Sequence, residues 1–202
     1  MTRERLLAEL RRQVEDARVI DAVGTVPREE FVAPQDRERA WENRALGIAC
    51  GQTISQPLVV ARMCEALAIA PGTRALDVGT GSGYHAAVLA TLGAHVVSVE
   101  IVPELSAAAA ANLEAAGIEG VHLVVGDGRA GWPAGAPYDA ICVAATAERD
   151  VPPALLDQLA PGGRLVAPLR TRRHERLVCI TRDAGGALGS EDLEEVRFVP
   201  LL

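Results

Sequence analysis

Three glycines at alternate positions follow a short apolar run that ends in an acid, and together they form the strongest chemical signal in the chain. The glycines are Gly79, Gly81 and Gly83, and the acid is Asp77. Glycine tolerates a positive φ angle and lets a ligand approach the bare main chain. A helix that begins here points its free N–H groups into the same space. The spacing therefore predicts a buried strand, a tight loop and a helix that bind a nucleotide-type ligand.

A second acid strengthens this interpretation. Glu100 ends the next apolar run, which covers residues 95–99. In nucleotide-binding α/β folds, an acid about twenty residues after the glycine loop binds the ribose. Asp77 and Glu100 together favour an adenosine-containing ligand over a tight turn with no ligand. The glycine spacing also satisfies the dinucleotide pattern, with Ala86 in its last place, so a nicotinamide-dependent oxidoreductase stays an alternative.

The elements that must position these residues alternate from residue 74 onward. Strands are predicted at 74–79, 95–99, 121–125, 138–144 and 163–168, and helices at 82–92, 103–116 and 153–160. Such alternation is typical of βαβ units that form a parallel sheet with right-handed crossovers. Two extended segments, 175–181 and 194–202, flank a turn-rich stretch at 183–189. They predict an antiparallel hairpin at the sheet edge.

The N-terminal region shows helical periodicity and no strong strand. An amphipathic helix is predicted over residues 2–17, a second helix over 19–23 and a helical turn over 36–41. Another helix begins near Pro57, and Ser55 or Gln56 is expected at its entry. A serine at this place is a candidate N-cap. We expect this region to pack as a cap on the sheet.

The composition limits the classes of function. The chain has 202 residues, of which 49% are hydrophobic, and its formal net charge is −7. This length and apolar content suit one domain with a substantial core. A negative field repels phosphate backbones, which argues against nucleic acid as a partner. The basic run at residues 170–174 is expected to be a solvated turn.

The cysteines and histidines form no familiar metal-binding pattern. Cys50, Cys64, Cys142 and Cys179 include no CxxC pair, and the four histidines form no HExxH motif, so no metal site is predicted. Cys64 and Cys142 lie in apolar runs and are expected in the core. The N-terminus lacks a signal-peptide core, and no apolar run approaches the length of a membrane helix. We expect a soluble, cytoplasmic protein.

Several segments resemble known families. The stretch 77–83 resembles the first motif of S-adenosylmethionine-dependent methyltransferases, Glu100 matches their ribose-binding acid, and residues 126–128 match their adenine-contacting turn. Three further segments, 26–32, 51–57 and 196–201, resemble the signature blocks of the protein-L-isoaspartate O-methyltransferase family. The resemblance runs from about Val14 to the C-terminus, and the block at 51–57 is highly specific.

The resemblance implies a fold and an activity. The implied fold is α/β: a doubly wound, mostly parallel sheet of the Rossmann-like methyltransferase type, with a helical N-terminal cap and antiparallel C-terminal edge strands. The implied enzyme repairs proteins by transferring a methyl group from S-adenosylmethionine to the α-carboxylate of L-isoaspartyl residues. The ester then collapses to a succinimide without enzymatic help. Because a carboxylate is already ionised at neutral pH, this transfer requires positioning and no general base.

The resemblance also assigns roles to residues. Ser55 is the implied catalytic residue; we expect it to hold the acceptor carboxylate rather than act as a nucleophile, because no histidine is placed by motif to activate it. The implied cofactor-binding residues are Thr53, Asp77, Gly79, Thr80, Gly81, Ser82, Gly83, Glu100, Asp127 and Gly128. The implied substrate-binding residues are Ile54, Ser55, Val199, Pro200 and Leu201.

Two positions depart from the pattern of this family. The family's hydroxyl after the fourth parallel strand has moved to Thr146, and Arg170 stands where a glycine is usual. The first departure puts a local substrate contact in doubt, and the second signals either an exposed arginine or an altered acceptor preference. His85, directly after the glycine stretch, is expected on a helix surface without a function.

The predicted organisation is a single methyltransferase domain over residues 1–202, in which 1–55 form the cap and a substrate loop and 56–202 form the cofactor-binding sheet and the C-terminal hairpin. Its partners are expected to be isoaspartyl-containing proteins or peptides, with no nucleic acid and no membrane, and the protein is expected to be a monomer. Two alternatives stay open. One is a related methyltransferase that modifies an ordinary aspartate in a dedicated peptide partner, and the other is a non-catalytic adenosine-nucleotide sensor.

Overall fold

The computed structural model describes residues 1–170 and 174–201. Its helices are α1 (Arg3–Leu10), α2 (Ala17–Thr25), α3 (Pro57–Leu67), α4 (Tyr84–Thr91), α5 (Pro103–Ala115) and α6 (Pro153–Asp157). Its strands are β1 (Leu46–Gly47), β2 (Thr53–Ile54), β3 (Arg74–Val78), β4 (His95–Glu100), β5 (Val121–Val125), β6 (Tyr138–Val143), β7 (Ala147–Glu148), β8 (Leu159–Arg170), β9 (Glu175–Arg182) and β10 (Leu188–Glu195).

Eight strands form the central sheet, in the order β10-β9-β8-β6-β3-β4-β5, with β7 paired beside β8. The strands from β3 to β8 pair in parallel, whereas β9 and β10 are antiparallel to their neighbours. The central strands are apolar without alternation, and Leu76, Ile141 and Leu165 are fully buried, as expected when helices cover both faces of a parallel sheet. The predicted α/β fold is confirmed.

The N-terminal region packs on the sheet and shares its core. Leu6, Val23 and Phe31 belong to the same buried cluster as Ala75 on β3 and Val88 on α4. The helix bounds of this region differ from the prediction, and α2 at Ala17–Thr25 is longer than the helix predicted at 19–23. Helix α1 ends at Leu10 instead of residue 17, and the turn expected at 36–41 is a 3₁₀ helix at Pro34–Arg39.

The N-cap expectation for Ser55 was wrong. Gln56 occupies the N-cap position of α3 and makes no side-chain capping bond, while Pro57 stands in the first turn as predicted. The first turn is capped instead by Asn43, whose side-chain oxygen accepts the Leu58 N–H at 3.1 Å. A residue distant in the sequence thus accepts the hydrogen bond from the first turn of α3, whereas sequence reasoning assigned this role to the neighbouring Ser55.

The boundary between α6 and β8 also differs from the prediction. Helix α6 ends at Asp157 and β8 begins at Leu159, four residues before the strand predicted at 163–168. Its pairing with β6 shifts register between Leu159 and Arg164, and Gly162 lies there with a φ of 80°. This irregularity interrupts the apolar run at the start of β8, so the sequence pattern places the first residue of the strand too far along the chain.

The second strand of the hairpin was placed wrongly. It is β10 at Leu188–Glu195, and the turn before it closes through the Asp183 N–H to the Ala187 carbonyl at 2.9 Å. Strand β10 is a polar, exposed edge strand, so it lacks the apolar pattern that directed the prediction to 194–202. Residues 196–201, called the tail below, form only one bridge, between Thr146 and Pro200. Residue 202 and residues 171–173 of the basic run lie outside the described residues.

Within the described part of the chain, the helices are too short or too polar to cross a membrane.

Candidate active site

A cleft opens at the carboxyl ends of β3, β4 and β6. It encloses about 820 Å³ of space, open solvent included, and is lined by residues from the N-terminal region, the glycine loop, the ends of the strands and the tail. Strand β3 pairs with β4 on one side and with β6 on the other, so the chain order reverses at this point. Open α/β sheets bind their ligands at such a reversal.

The glycine loop, residues 79–83, has the backbone conformation that its sequence predicts. Gly79, Gly81 and Gly83 have φ angles of 92°, 54° and 87°, in the region that favours glycine. The Gly79 N–H donates to the Val99 carbonyl at 2.9 Å, which holds the loop over the end of β4. Gly79, Thr80, Gly81 and Ser82 line the cleft. Gly83 does not line it and caps α4, where a Cβ would lie 3.2 Å from the Ala109 side chain.

Glu100 lies in the cleft beside this loop. Its side chain is buried, with one carboxylate oxygen accepting the Gly81 N–H at 2.8 Å and the other accepting the Val102 N–H at 3.0 Å. Each carboxylate oxygen can accept more than one hydrogen bond. Glu100 therefore fixes the loop and keeps acceptor capacity for a ligand hydroxyl, as the ribose-binding prediction requires.

Asp77 lies below the loop and does not line the cleft. Its carboxylate is fully buried and accepts the Ser98 hydroxyl at 2.7 Å, and Ser98 in turn bonds to the Thr80 hydroxyl at 2.6 Å. Burial raises the pKa of Asp77 from 3.8 to about 7. The structure therefore places Asp77 where it supports Thr80 and not where it touches a ligand in the cleft.

His85 is buried, which corrects the expectation of a surface histidine. Its Nδ1 lies 3.7 Å from Asp77 Oδ1 and 3.2 Å from Cys142 Sγ, and its Nε2 lies 3.4 Å from Cys64 Sγ. Both thiols are in the core, as predicted. Burial lowers the pKa of His85 to about 4 and raises the pKa of each thiol, so the neutral forms are favoured.

This arrangement brings together three groups that could share a metal ion, namely Asp77, His85 and Cys142, whose ligand atoms lie within 4.8 Å of one another. Sequence spacing gave no sign of it, because the residues come from β3, α4 and β6. His85 contacts the two thiols and Asp77 accepts from Ser98, so these groups also form part of the core, although Asp77 Oδ1 has no hydrogen-bond partner among the described residues.

Asp127 and Gly128 differ in their positions relative to the cleft, although they are neighbours in the sequence. The Asp127 side chain caps a 3₁₀ turn at the Arg129 N–H and pairs with the Arg129 guanidinium at 2.8 Å, which holds the pKa of its carboxyl below the usual value. It does not line the cleft, whereas Gly128 does. A Cβ at Gly128 would lie 2.4 Å from a Val78 methyl group, so only glycine fits this wall without a shift.

The segment that carries Ser55 is held by a short hairpin and a buried arginine. Strands β1 and β2 pair Leu46 with Ile54, and the turn between them exposes Cys50. Arg28 is fully buried, and its guanidinium donates to the Ser55 carbonyl and to the Ala40 carbonyl, each at 2.8 Å. The same guanidinium lies 4.6 Å from the ring centroid of Tyr84. Burial lowers the pKa of Arg28.

The tail forms the opposite wall. Val199, Pro200 and Leu201 line the cleft beside Ala144 and Ala145. Thr146 pairs with this segment on both sides: its N–H donates to the Val199 carbonyl at 2.7 Å, and its carbonyl accepts the Leu201 N–H at 2.8 Å. A second, outer cleft adjoins the first and shares four lining residues with it, namely Thr53, Ser55, Ala144 and Val199.

The sequence reasoning missed some lining residues. Ile101 and Val102 follow Glu100, and Ile101 keeps 42% of its surface exposed, which makes it an apolar contact at the cleft mouth. A large apolar residue just after a strand-ending acid is a signal that could have identified it. Tyr84 also lines the cleft, but its burial follows from packing against Phe31, with ring centroids 5.7 Å apart.

The comparisons with known proteins agree with this geometry. Residues 1–202 match the family described as protein-L-isoaspartate(D-aspartate) O-methyltransferase. A protein-L-isoaspartate O-methyltransferase of Anaeromyxobacter dehalogenans is 51% identical over 190 residues, which cover 93% of this chain and 90% of the relative. One from Marinobacter nauticus is 50% identical over 192 residues, covering 95% of this chain and 87% of the relative.

Solved structures are also similar. One protein-L-isoaspartate O-methyltransferase superposes with a TM-score of 0.88 at 31% identity over 98% of this chain, which spans 65% of that longer chain. Another, from Plasmodium falciparum and in complex with S-adenosyl-L-homocysteine, gives a TM-score of 0.88 at 26% identity, covering 100% of this chain and 99% of its own.

The fold and the cleft define a Rossmann-like methyltransferase, an enzyme that uses S-adenosylmethionine. Among such enzymes, the family match over residues 1–202 and the relatives that are 50% and 51% identical narrow the assignment to one family. The chain belongs to the protein-L-isoaspartate O-methyltransferase family.

Proposed function

We propose that the chain repairs damaged proteins by transferring a methyl group from S-adenosylmethionine to the α-carboxylate of L-isoaspartyl residues. The observation that carries this proposal is the position of Ser55, which lines both the inner cleft at the glycine loop and the outer cleft beside the tail. An acceptor that enters through the outer cleft reaches Ser55 at the point where the two clefts meet. Donor and acceptor would therefore approach each other beside this hydroxyl.

The inner cleft fits the methyl donor. Glu100 keeps acceptor capacity for the ribose, the glycine loop offers bare backbone, and Gly128 leaves room where a side chain would collide with Val78. Thr53, Gly79, Thr80, Gly81 and Ser82 line the same cleft and complete the proposed donor site. When bound, S-adenosylmethionine supplies an electrophilic methyl group on a positively charged sulfur. Asp77 acts on this site through the Ser98 and Thr80 hydroxyls, Gly83 through the start of α4, and Asp127 through the turn that contains Gly128.

The acceptor side requires a group that orients a carboxylate. At neutral pH the α-carboxylate is ionised, so methyl transfer needs no proton acceptor from the protein. Ser55 carries a hydroxyl that can donate a hydrogen bond to one carboxylate oxygen, which leaves the other oxygen available for attack. Helix α3 begins two residues later, and the positive end of its dipole also favours a negative charge nearby.

The tail supplies the proposed peptide contact. Ile54, Val199, Pro200 and Leu201 line the cleft. An extended segment beside a cleft can pair with the main chain of an extended peptide by strand addition. Such pairing would recognise the position of the peptide backbone relative to its carboxylate, and this position differs between isoaspartyl and aspartyl residues.

A matched pair of peptides tests the proposal. One peptide carries L-isoaspartate and the other carries aspartate at the same position, and both are incubated with the protein and S-adenosylmethionine. We expect methanol release and loss of isoaspartate from the first peptide and no methylation of the second. A folded protein that binds the donor and leaves the isoaspartyl peptide unmodified would overturn the proposal, and methylation of the aspartyl peptide instead would favour the ordinary-aspartate alternative.

We further propose that the protein works as a single-domain monomer in the cytoplasm, without binding nucleic acid or membranes. The glycine loop, the Ser55 segment and the tail of one chain meet at the two clefts, so the proposed donor and acceptor sites do not require a second copy. All four cysteines are free, as is usual in a reducing compartment. The net charge of −7 disfavours contact with nucleic acid or an anionic membrane surface.

A further inference from the structure

We propose that Glu175 is a positioning residue that fixes the tail in the wall of the active-site cleft. The proposal rests on the proposed function in one respect, namely that the tail contacts the peptide substrate. Glu175 and Arg170 line the outer cleft, and Thr146 lies behind the tail. The proposal gives a role to both departures from the family pattern, Thr146 and Arg170.

The Glu175 carboxylate holds the start of the tail. Glu175 is the first residue of β9, and its side chain keeps only 11% of its surface exposed. Its Oε1 accepts the Phe198 N–H at 2.6 Å and also accepts the Thr146 hydroxyl in a short hydrogen bond. The main-chain carbonyl of Glu175 accepts the Val196 N–H at 2.9 Å. One residue therefore binds the tail at Val196 and Phe198, just before the residues that line the cleft.

Thr146 connects this group with the rest of the tail. Its backbone pairs with Val199 and Leu201, the residue is 1% exposed, and its hydroxyl donates to Glu175. The hydroxyl that the sequence places in doubt as a substrate contact is therefore used inside the protein. Together, Thr146 and Glu175 bind four tail residues, namely Val196, Phe198, Val199 and Leu201.

Arg170 gives the carboxylate its charge partner. Its guanidinium lies 3.3 Å from Glu175 Oε2 and 2.9 Å from Glu148 Oε1. A largely buried carboxylate requires such partners, because an unpaired charge away from water is strongly disfavoured. Arg170 is therefore engaged by two acids, and its role is to complete the Glu175 site rather than to select an acidic acceptor.

This arrangement has a consequence for substrate binding. If the acceptors on Glu175 are lost, the tail becomes less ordered in the free enzyme, and the substrate must order it on binding. The weakened affinity affects the peptide and not the methyl donor, because the hydrogen bonds that hold Glu100 and the glycine loop involve neither Glu175 nor Thr146. A general loss of folding would weaken both.

The test compares Glu175→Ala and Thr146→Val with Glu175→Gln, which keeps an oxygen for both donors. An exposed pair on the same hairpin supplies the control, Asp192→Asn, which removes the charge that faces Arg176. We expect KM for the isoaspartyl peptide to rise about tenfold in Glu175→Ala, since a lost hydrogen bond to a charged group corresponds to roughly one power of ten. We expect kcat and donor affinity to stay within about a factor of two.

Amide hydrogen exchange provides a readout that needs no turnover. We expect the Phe198 and Leu201 amides to exchange faster in Glu175→Ala and Thr146→Val, with Glu175→Gln and Asp192→Asn close to wild type. An unchanged KM together with unchanged exchange at these amides would overturn the proposal, and so would equal losses of peptide and donor affinity. If the wild type itself does not methylate the peptide, the proposed function fails, while the exchange rates still decide whether Glu175 fixes the tail. Thr146→Val answers the same question if Glu175→Ala does not fold.

Discussion

At the scale of single residues, polar groups divide into those that face the clefts and those that hold the facing groups in place. Ser55 and Glu100 line the inner cleft, whereas Asp77 and Arg28 reach Thr80 and Ser55 only through hydrogen bonds from behind. A substitution of a facing group should change the reaction with little change in stability. A substitution of a supporting group should change both.

Ser55→Ala tests the role of the facing hydroxyl. The variant keeps the backbone carbonyl that binds Arg28, so we expect a folded protein with unchanged donor affinity. Loss of a hydrogen bond that orients the acceptor should lower kcat/KM for an isoaspartyl peptide by roughly tenfold to a hundredfold. Steady-state kinetics measure this directly. Wild-type rates in the variant would show that the hydroxyl does not hold the acceptor. If the wild-type protein itself binds the donor and shows no turnover, the sensor alternative is favoured.

Residue types were easier to predict than the directions of side chains. Motif spacing located the glycine loop, Glu100 and the segment around Ser55, because these positions depend on local backbone geometry. It did not indicate that Asp77 is enclosed in the core, or that His85 lines the cleft while contacting Cys142 on another strand, since these directions depend on residues distant in the sequence. The assignments of Ser55 and Glu100 to substrate and donor stay predictions.

At the scale of elements, the N-terminal region is joined to the active site by Arg28. This residue belongs to a 3₁₀ turn, yet its guanidinium binds the carbonyl of Ala40 in the N-terminal region and the carbonyl of Ser55 just before α3. It also stacks on Tyr84 at the start of α4. Three segments that are distant in the sequence thus depend on one buried cation.

Arg28→Met tests this connection. The substitution leaves the Ala40 and Ser55 carbonyls without their donor inside the core, so we expect the free energy of unfolding to fall by about 2 to 4 kcal/mol. Urea unfolding measures the loss, with an unchanged m-value as a check on two-state behaviour. The matched control is Arg37→Met, whose exposed pair with Glu30 should contribute at most about 0.5 kcal/mol. Equal midpoints for both variants would contradict the structural role of Arg28.

The elements that sequence reasoning placed well are those with a strong apolar pattern. Strands β3, β4 and β6 are largely buried, and their apolar runs have sharp ends that the sequence pattern located. Strand β10 was misplaced because an exposed edge strand carries polar residues such as Glu191 and Asp192, which no periodicity separates from a turn. The hairpin β1/β2 was missed because two-residue strands are too short to show a pattern.

At the scale of the whole molecule, the buried pair of Asp77 and His85 couples stability to pH in opposite directions. Burial raises the pKa of Asp77 to about 7 and lowers the pKa of His85 to about 4. The folded state therefore holds a proton on Asp77 that the unfolded chain releases, and it lacks a proton on His85 that the unfolded chain binds. Between about pH 4 and pH 6.5 the two effects oppose each other, so the wild type alone shows only their difference.

The Asp77→Asn variant separates the contribution of Asp77 to the pH dependence of stability from that of His85. Between pH 3.8 and about 7 the unfolded aspartate binds fewer protons than the folded one, so the Asp77 contribution to stability falls as the pH rises. We expect wild type to lose stability relative to Asp77→Asn across this window, measured by urea unfolding at several pH values. Asp127→Asn is the control, because the lowered pKa of that exposed carboxyl confines its effect, which has the opposite sign, to pH values below 3.8. A difference between wild type and Asp77→Asn that does not vary with pH would be inconsistent with a protonated Asp77 in the fold.

The hairpin that carries Ser55 also gives the molecule a natural chemical handle. Its turn exposes Cys50, whereas Cys64, Cys142 and Cys179 are buried. Thiol chemistry on the native fold follows exposure, so a maleimide dye should attach at Cys50 and spare the other three. A dye at this turn lies five residues from Ser55 along the chain. Its fluorescence would follow the environment of the acceptor side while a peptide enters, without any engineered cysteine.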